Sequence, residues 1–217
     1  MDRESLGMLR NYDAFVFDWD GTLSSLKLLR ALNERLNPYW RYKKRKGREG
    51  MGEGSREDID KSIRRKERSR GRRLVTPLID VSMVFLKPKL HNDSRTVLDT
   101  LRRRGKKIAL FTNGSSYRVL KELSYLGIED YFEVIVSAQD LKALKPDPIG
   151  LKVVISAIKS KKGRVLYVGD MVDDVLMAKS MGVDCCAVAD GFDSYGRLKA
   201  ARPNYLFRSM EEFCAAL

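Results

Sequence analysis

Residues 14–22 read AFVFDWDGT, an apolar run that leads directly into two aspartates one residue apart. A short apolar run that is closed by a turn signal predicts a buried β-strand. Such a strand delivers Asp18 and Asp20 to the carboxyl edge of a sheet, where open α/β folds bind their ligands. Two carboxylates this close repel each other, which indicates a bound cation or a shared proton. An ordinary strand with an Asp-Gly turn explains the same residues, so the rest of the chain has to decide.

From residue 92 onward, short apolar runs alternate with segments of helical spacing. The pattern predicts strands over residues 107–113, 134–137, 164–170, 185–189 and 205–207. It predicts helices over residues 94–104, 115–126, 147–159 and 173–181, and a last helix that begins after Ser209. Strands that alternate with helices of this length are typical of an α/β fold with a doubly wound, mostly parallel sheet.

Two of these helices carry more detailed expectations. Asp93 or Ser94 is placed to cap the helix that ends near Arg104. In the helix over residues 115–126, the apolar spacing predicts that four side chains face the core, namely Val119, Leu120, Leu123 and Leu126.

Residues 23–90 do not fit the alternation and predict a small α-helical cap inserted after the first strand. The core domain would then consist of residues 1–22 and 91–217. Within the cap, the glycine-containing loop 41–73 holds fifteen Lys and Arg against six Asp and Glu, which is +9 of the net charge of +13. This charge predicts attraction to anions such as phosphate esters or nucleic acid. A solvated surface segment remains the commoner explanation of such a run.

Polar residues and one glycine lie near the ends of the predicted strands of the core. They are Asp18 and Asp20 after the first strand, Thr112, Asn113 and Gly114 after the second, Lys145 before the fourth, and Asp170 after the fourth, with Asp173 and Asp174 close behind. The carboxyl ends of parallel strands lie on one side, so these groups should converge. Carboxylates are ligands for Mg²⁺, and a further carboxylate can attack phosphorus. Hydroxyl, amide and lysine groups stabilise phosphoryl oxygens. The set therefore indicates phosphoryl transfer.

Four motifs in this order resemble those of the haloacid dehalogenase-like (HAD) phosphohydrolase superfamily, in its phosphoglycolate-phosphatase-like branch. The motifs are DWDGT at 18–22, FTNG at 111–114, KPDP at 145–148 and VGDMVDD at 168–174. The resemblance covers about residues 13–22 and 92–190. It implies a Rossmann-like core, a cap inserted after the first motif, and Mg²⁺ as the cofactor.

The resemblance also implies a role for each motif residue. Asp18 would be the nucleophile that forms an aspartyl-phosphate, and Asp20 the acid that protonates the leaving oxygen and then the base that activates water. Lys145 would neutralise the nucleophile and the phosphoryl oxygens. Thr112 and the backbone of Asn113 and Gly114 would bind phosphate. Asp18, Asp170 and the backbone carbonyl of Asp20 would bind the metal. Asp174, whose spacing fits the family better, or Asp173 would support the metal from behind its ligands or through water.

The resemblance favours a phosphatase that acts on a small phosphorylated metabolite, as a monomer or homodimer. Asp20 favours phosphate esters over carbon–halogen bonds, because the dehalogenases of the superfamily lack that acid. Three alternatives stay open: a phosphomutase or phosphotransferase, a receiver-like signalling domain, and a phosphatase that acts on or near nucleic acid through the basic cap. The last alternative predicts binding that weakens steeply with salt.

The cysteines and the hydropathy bear on location. Cys185 and Cys186 are adjacent, and with Cys214 they form neither a disulfide framework nor a set with zinc-ligand spacing. The sequence shows no signal-peptide pattern and no apolar run of about 18 residues. These features predict a cytoplasmic protein that does not associate with membranes.

Overall fold

A computed structural model of the chain describes residues 8–25, 88–141 and 143–217. All of these residues belong to one compact unit. Most of the segment 23–90, including the basic loop 41–73, lies outside the described residues. The inserted cap and its boundaries therefore stay predictions.

In the described part of the chain, six parallel strands form a single sheet. They are β1 (Ala14–Phe17), β2 (Lys107–Thr112), β3 (Val134–Ser137), β4 (Val165–Gly169), β5 (Asp184–Val188) and β6 (Tyr205–Phe207). Their spatial order is β3-β2-β1-β4-β5-β6. Every neighbouring pair is parallel, which confirms the predicted sheet.

Helices connect the strands. They are α1 (Ser94–Arg103), α2 (Ser116–Leu126), α3 (Ile149–Ala157), α4 (Val172–Ser180), α5 (Tyr195–Ala200) and α6 (Met210–Ala216). Short 3₁₀ turns lie at Met8–Asn11, Glu129–Tyr131 and Lys162–Arg164. None of the helices in the described ranges is both long and apolar enough to cross a membrane.

The pleat of the strands divides the core between the two faces of the sheet. On β1, Phe15 and Phe17 pack with apolar residues of α1, α2 and α6, whereas Ala14 and Val16 pack with those of α3, α4 and α5. Successive side chains of a strand point to opposite faces, so a strand covered on both sides reads as a continuous apolar run. The unbroken AFVF sequence is therefore the consequence of a doubly wound sheet.

The first strand lies at the centre of this sheet, and the chain winds outward from it in both directions. The strands β2 and β3 lie on one side of β1, and β4 to β6 lie on the other. The boundary between β1 and β4 is a topological switch point, where a crevice opens outside the carboxyl ends of the strands. Asp18 enters this crevice directly after β1, and its backbone N–H continues the pairing by donating to the Val168 carbonyl at 2.9 Å.

Two of the helix predictions were wrong. Asp93 occupies the N-cap position of α1 in a left-handed conformation (φ 63°) without capping it, and the Ser94 hydroxyl donates to the Leu23 carbonyl at 3.0 Å. In α2, Leu120 is exposed, and Arg118 and Glu122 are buried instead. The buried face of α2 therefore includes two charged residues and differs from the face that the apolar spacing predicts.

Candidate active site

Asp18 is a buried carboxylate whose two oxygens have different surroundings. Oδ1 accepts a hydrogen bond from the Trp19 backbone N–H at 2.7 Å and lies 2.6 Å from Lys145 Nζ. No described residue donates to Oδ2. Burial raises the pKa of Asp18 to about 7, against the opposing effect of the Lys145 charge. One oxygen is thus oriented by two donors, while the other stays available to a ligand.

Three buried carboxylates meet beside the end of β1. Oxygen atoms of Asp18, Asp170 and Asp174 lie within 4.8 Å of one another. Burial raises the pKa of Asp170 well above its usual range, and the charges of Asp18 and Asp174 add to the effect. Ionising all three acids is unfavourable without a cation nearby. Carboxylate oxygens fit Mg²⁺, which binds through one or two carboxylates and keeps several waters.

Asp170 is fixed in place by the loops on either side of it. Its Oδ1 accepts from the Thr22 hydroxyl at 2.7 Å, and its Oδ2 accepts from the Phe192 backbone N–H at 2.6 Å. A Cβ on Gly21 would lie 2.6 Å from Asp170 Oδ2, and Gly21 also has φ +89°. A side chain is therefore excluded at Gly21 both by the backbone conformation and by the approach of the carboxylate.

Lys145 is the cation that the described residues place in this acidic site. Its Nζ lies 2.6 Å from Asp18 Oδ1 and 3.1 Å from Asp174 Oδ1. It also lies over the rings of Phe111 and Tyr167, 5.3 and 5.5 Å from the ring centres. Burial alone would lower the pKa of Lys145, but Asp174 and Asp18 outweigh that effect and raise it.

Hydrogen bonds hold the turn after β2 in place and connect it to the backbone of Lys145. The Thr112 hydroxyl accepts from the Gly114 N–H at 3.0 Å, and the Gly114 carbonyl accepts from the Ser137 hydroxyl at 2.6 Å. The Asn113 side chain accepts from the backbone N–H of Lys145 at 3.0 Å. The predicted phosphate-binding residues therefore lie at the site, and Asn113 has a further role that the motif did not indicate.

The predicted acids Asp20, Asp173 and Asp174 occupy different environments. Asp174 is buried, and its carboxylate also accepts from the Tyr167 hydroxyl at 3.0 Å and from the Met171 N–H at 3.0 Å. Asp173 is half-buried and does not belong to the group of three carboxylates. The Asp20 carboxylate lies against Arg118, with Nη1 2.9 Å from Oδ1 and Nη2 2.5 Å from Oδ2.

Sequence reasoning missed Arg118, Glu122 and Tyr167. Arg118 and Glu122 are four residues apart on α2, which is the spacing of an ordinary exposed ion pair. Their adjacency to the inward residues Val119 and Leu123 was the available signal. Tyr167 gave no signal in the sequence, because its ring fits the apolar pattern of the strand. Its hydroxyl nevertheless donates to Asp174.

We expect Mg²⁺ to raise the Tm of the protein more at pH 8 than at pH 5, by a difference of about 3 °C or more. The folded-state pKa of Asp18, about 7, is above its ordinary value of 3.8. Between about pH 4 and pH 7, Asp18 ionises in the unfolded chain but stays protonated in the folded one. The metal-free protein therefore loses stability as the pH rises through this range. Above pH 7, Mg²⁺ offsets the repulsion between ionised acids. Thermal unfolding with Mg²⁺ or a chelator measures the difference.

Asp170→Asn is the matched variant for this measurement. It keeps the shape of the side chain and removes one charged oxygen ligand, so the Mg²⁺ effect at pH 8 should shrink. An equal Mg²⁺ effect at the two pH values, or an undiminished effect in Asp170→Asn, would contradict a metal site at the three carboxylates.

The fold and the site together define an α/β protein with an acidic centre at the switch point of a parallel sheet. A family model described as "Haloacid dehalogenase-like hydrolase" matches residues 15–188, and the chain belongs to that family.

Two curated relatives illustrate the similarity. The pyrophosphatase PpaX of Halalkalibacterium halodurans is 31% identical over 113 residues, which are 52% of this chain and 53% of the relative. The phosphoglycolate phosphatase of Yersinia pestis is 27% identical over 123 residues, covering 57% and 53% of the two chains. The chain thus spans about half the length of the curated relatives it matches.

Among solved structures, CbbY from Rhodobacter sphaeroides in complex with phosphate superimposes with a TM-score of 0.66 at 20% identity, over 93% of this chain and 96% of that chain. At this identity the likeness shows the fold alone.

Proposed function

We propose that this protein is a Mg²⁺-dependent phosphatase that hydrolyses a phosphate monoester through an aspartyl-phosphate on Asp18. The observation that carries the proposal is the convergence of Asp18, Lys145 and two further buried acids at the carboxyl edge of β1. Asp18 has one oxygen held by Lys145 and Trp19, and the other is available to attack phosphorus. The names of the relatives, phosphatase and pyrophosphatase, support the same class of reaction.

The first half of the reaction transfers the phosphoryl group to the protein. Oδ2 of Asp18 forms a bond to phosphorus while the bond between phosphorus and the ester oxygen breaks. Asp20 gives its proton to the departing oxygen, so the product leaves as an alcohol. Lys145 stabilises the charge on the phosphoryl oxygens together with Thr112 and the backbone of Asn113 and Gly114.

The second half regenerates the carboxylate. A water molecule attacks the phosphorus of the aspartyl-phosphate, Asp20 takes the proton from that water, and the acyl-phosphate bond breaks. Inorganic phosphate leaves, and Asp18 is again ionised. Mg²⁺ held by Asp18, Asp170 and the Asp20 carbonyl, with Asp174 beside it, would supply positive charge to the phosphoryl oxygens.

A carbon–halogen bond fits this site less well than a phosphate ester. A halide leaves without needing a proton, so Asp20 would have no part in its departure. A receiver-like domain also fits less well, because the acid with the available oxygen follows the first strand, whereas that hypothesis places the phosphorylated acid after a middle one.

The remaining features of the proposal concern the surroundings of the site. We place the substrate among small phosphorylated metabolites, with residues 23–90 as the cap and 1–22 and 91–217 as the core. The cysteine pattern, which is not that of a disulfide framework, supports a cytoplasmic setting. The basic loop 41–73 would favour an anionic substrate over a neutral one.

The test is to measure phosphate release from a panel of phosphate monoesters and pyrophosphate, with Mg²⁺ and with a chelator. We expect Mg²⁺-dependent release, and an acid-quenched protein that carries a hydroxylamine-sensitive phosphoryl label. Adding sugar-phosphate acceptors separates a phosphotransferase, which would form a new ester in place of inorganic phosphate. A wild-type protein that releases no phosphate and acquires no label would overturn the proposal.

A further inference from the structure

Arg118 is a buried arginine that contacts the carboxylates of Asp20 and Glu122. Its side chain is 4% exposed, and its Nη1 and Nη2 each reach one oxygen of Asp20. The same Nη1 lies 3.1 Å from both oxygens of Glu122, which is also buried. Burial lowers the pKa of Arg118, but the charges of Asp20 and Glu122 outweigh that effect and raise it. The guanidinium is therefore a permanent cation held between two acids.

Trp19 connects this cluster to the backbone between the two motif acids. Its indole N–H donates to Glu122 Oε2 at 2.6 Å, and its side chain is fully buried. Because Trp19 stands between Asp18 and Asp20 in the sequence, anchoring its ring also anchors the backbone on which both acids are mounted. Asp20 is thus held at its carboxylate by Arg118 and at its backbone by the neighbouring indole.

The cluster lies directly against the predicted phosphate-binding turn. A Cβ on Gly114 would lie 2.2 Å from Arg118 Nη2 and 3.1 Å from Asp20 Oδ2. The guanidinium and the carboxylate therefore pack on the glycine of the turn, and a side chain there would displace them. Arg118 places the Asp20 carboxylate beside the residues expected to hold the phosphoryl group.

Arg118 and Asp20 differ in their access to a ligand. The Asp20 side chain is 21% exposed, whereas that of Arg118 is 4% exposed. A carboxylate has about four lone-pair positions, and Arg118 occupies one on each oxygen. The outer positions are left for a leaving group or a water molecule. Arg118 itself is too buried to meet a substrate, and its contact with both oxygens of Asp20 connects it to the proposed proton transfer.

We propose that Arg118 is the positioning residue of the reaction and that it holds the Asp20 carboxyl group where it exchanges a proton with the leaving oxygen and with the attacking water. This inference rests on the proposed phosphatase function. A displacement of about 1 Å in a reacting group can cost on the order of a hundredfold in rate. The rigid two-point contact with Arg118, which Glu122 and Trp19 hold in place, prevents such a displacement.

The test compares two aryl phosphates that differ in their need for a proton. The leaving group of 4-nitrophenyl phosphate departs readily without one, whereas that of phenyl phosphate is a stronger base and benefits from Asp20. We expect Arg118→Met to lower kcat/KM, which reports formation of the aspartyl-phosphate, about tenfold more for phenyl phosphate than for 4-nitrophenyl phosphate. Arg118→Lys, which keeps a charge but offers no planar fork, should recover part of the loss. Arg103→Met, on the exposed face of α1, is the matched control and should leave both rates unchanged.

A second comparison shows whether Arg118 acts through Asp20. In an Asp20→Asn background, Arg118→Met should change kcat/KM for phenyl phosphate less than about twofold, because residues that act as a unit are not additive. Equal losses in kcat/KM on the two substrates, or a full additional loss in the Asp20→Asn background, would show a structural role and overturn the inference. If Arg118→Met does not fold, Arg118→Lys and Glu122→Gln carry the same comparisons. An inactive wild-type protein overturns the phosphatase function itself, whereas an active one with an indifferent Arg118 overturns only the positioning role.

Discussion

Replacing Asp18 by Asn is expected to lower kcat for phosphate release by at least about a thousandfold, because an amide cannot form the aspartyl-phosphate. The substitution keeps the shape of the side chain, and its oxygen can still accept from the Trp19 N–H. The labelled phosphoenzyme should disappear together with the release of phosphate. Both quantities are measured in the same assay with a radiolabelled substrate and Mg²⁺.

The stability of the Asp18→Asn variant separates lost chemistry from lost structure. Burial raises the pKa of Asp18 to about 7, so its ionised form weakens the metal-free fold above that pH. We therefore expect the variant to be at least as stable as the wild type at pH 8 without Mg²⁺. Asp13→Asn makes the same chemical change at the opposite end of β1, where the acid is exposed, and should leave turnover intact. Full turnover in Asp18→Asn would exclude Asp18 as the nucleophile.

Replacing Lys145 by Met is expected to reduce the free energy of unfolding by about 3–5 kcal/mol at pH 8, the range for removing one partner of a buried ion pair. The Nζ atom is the shared partner of Asp18 and Asp174, and both carboxylates are buried. Without the lysine they are left as unpaired charges next to Asp170. Phosphate release should fall as well, because the same atom is proposed to stabilise the phosphoryl oxygens.

Two comparisons make the Lys145 prediction specific. Lys152→Met, on the exposed side of α3, should change stability by no more than about 0.5 kcal/mol. In the double variant Lys145→Met and Asp174→Asn, part of the lost stability should return, since one of the unpaired charges is removed. Denaturant unfolding measures all three proteins. If Lys145→Met were as mild as Lys152→Met, the buried pairing would not be a main source of stability at this site.

The parallel sheet could be predicted because its signals are local. A strand buried on both faces is an uninterrupted apolar run, and a helix that covers the sheet repeats its apolar residues every three to four positions. Both patterns survive in a single sequence, so the strands were placed within one or two residues. The segment 23–90 breaks the pattern, and its organisation as a cap is inferred only from that break.

The candidate site could be predicted for a related reason. Asp18 and Asp170 come directly after a strand, and Thr112 is the last residue of β2. Parallel strands bring these ends together at one edge. No knowledge of side-chain contacts was required to expect their convergence. The motifs could not indicate which oxygen of Asp18 is occupied, nor that Asn113 orients the backbone of Lys145.

The tertiary structure alone decided the surroundings of Asp20. The sequence predicted that Leu120 faces the core, because apolar side chains usually occupy the inward positions of a helix. The fold buries Arg118 and Glu122 there instead. Arg118 binds the Asp20 carboxylate, 98 residues away in sequence, and Glu122 accepts from the Trp19 indole, 103 residues away. The pattern at 14–22 thus determined where Asp18 and Asp20 lie, because the position of a strand in the chain follows from local periodicity and parallel strands share one carboxyl edge. What holds Asp20 in place depends on pairing between distant segments, which becomes visible only when the chain is folded.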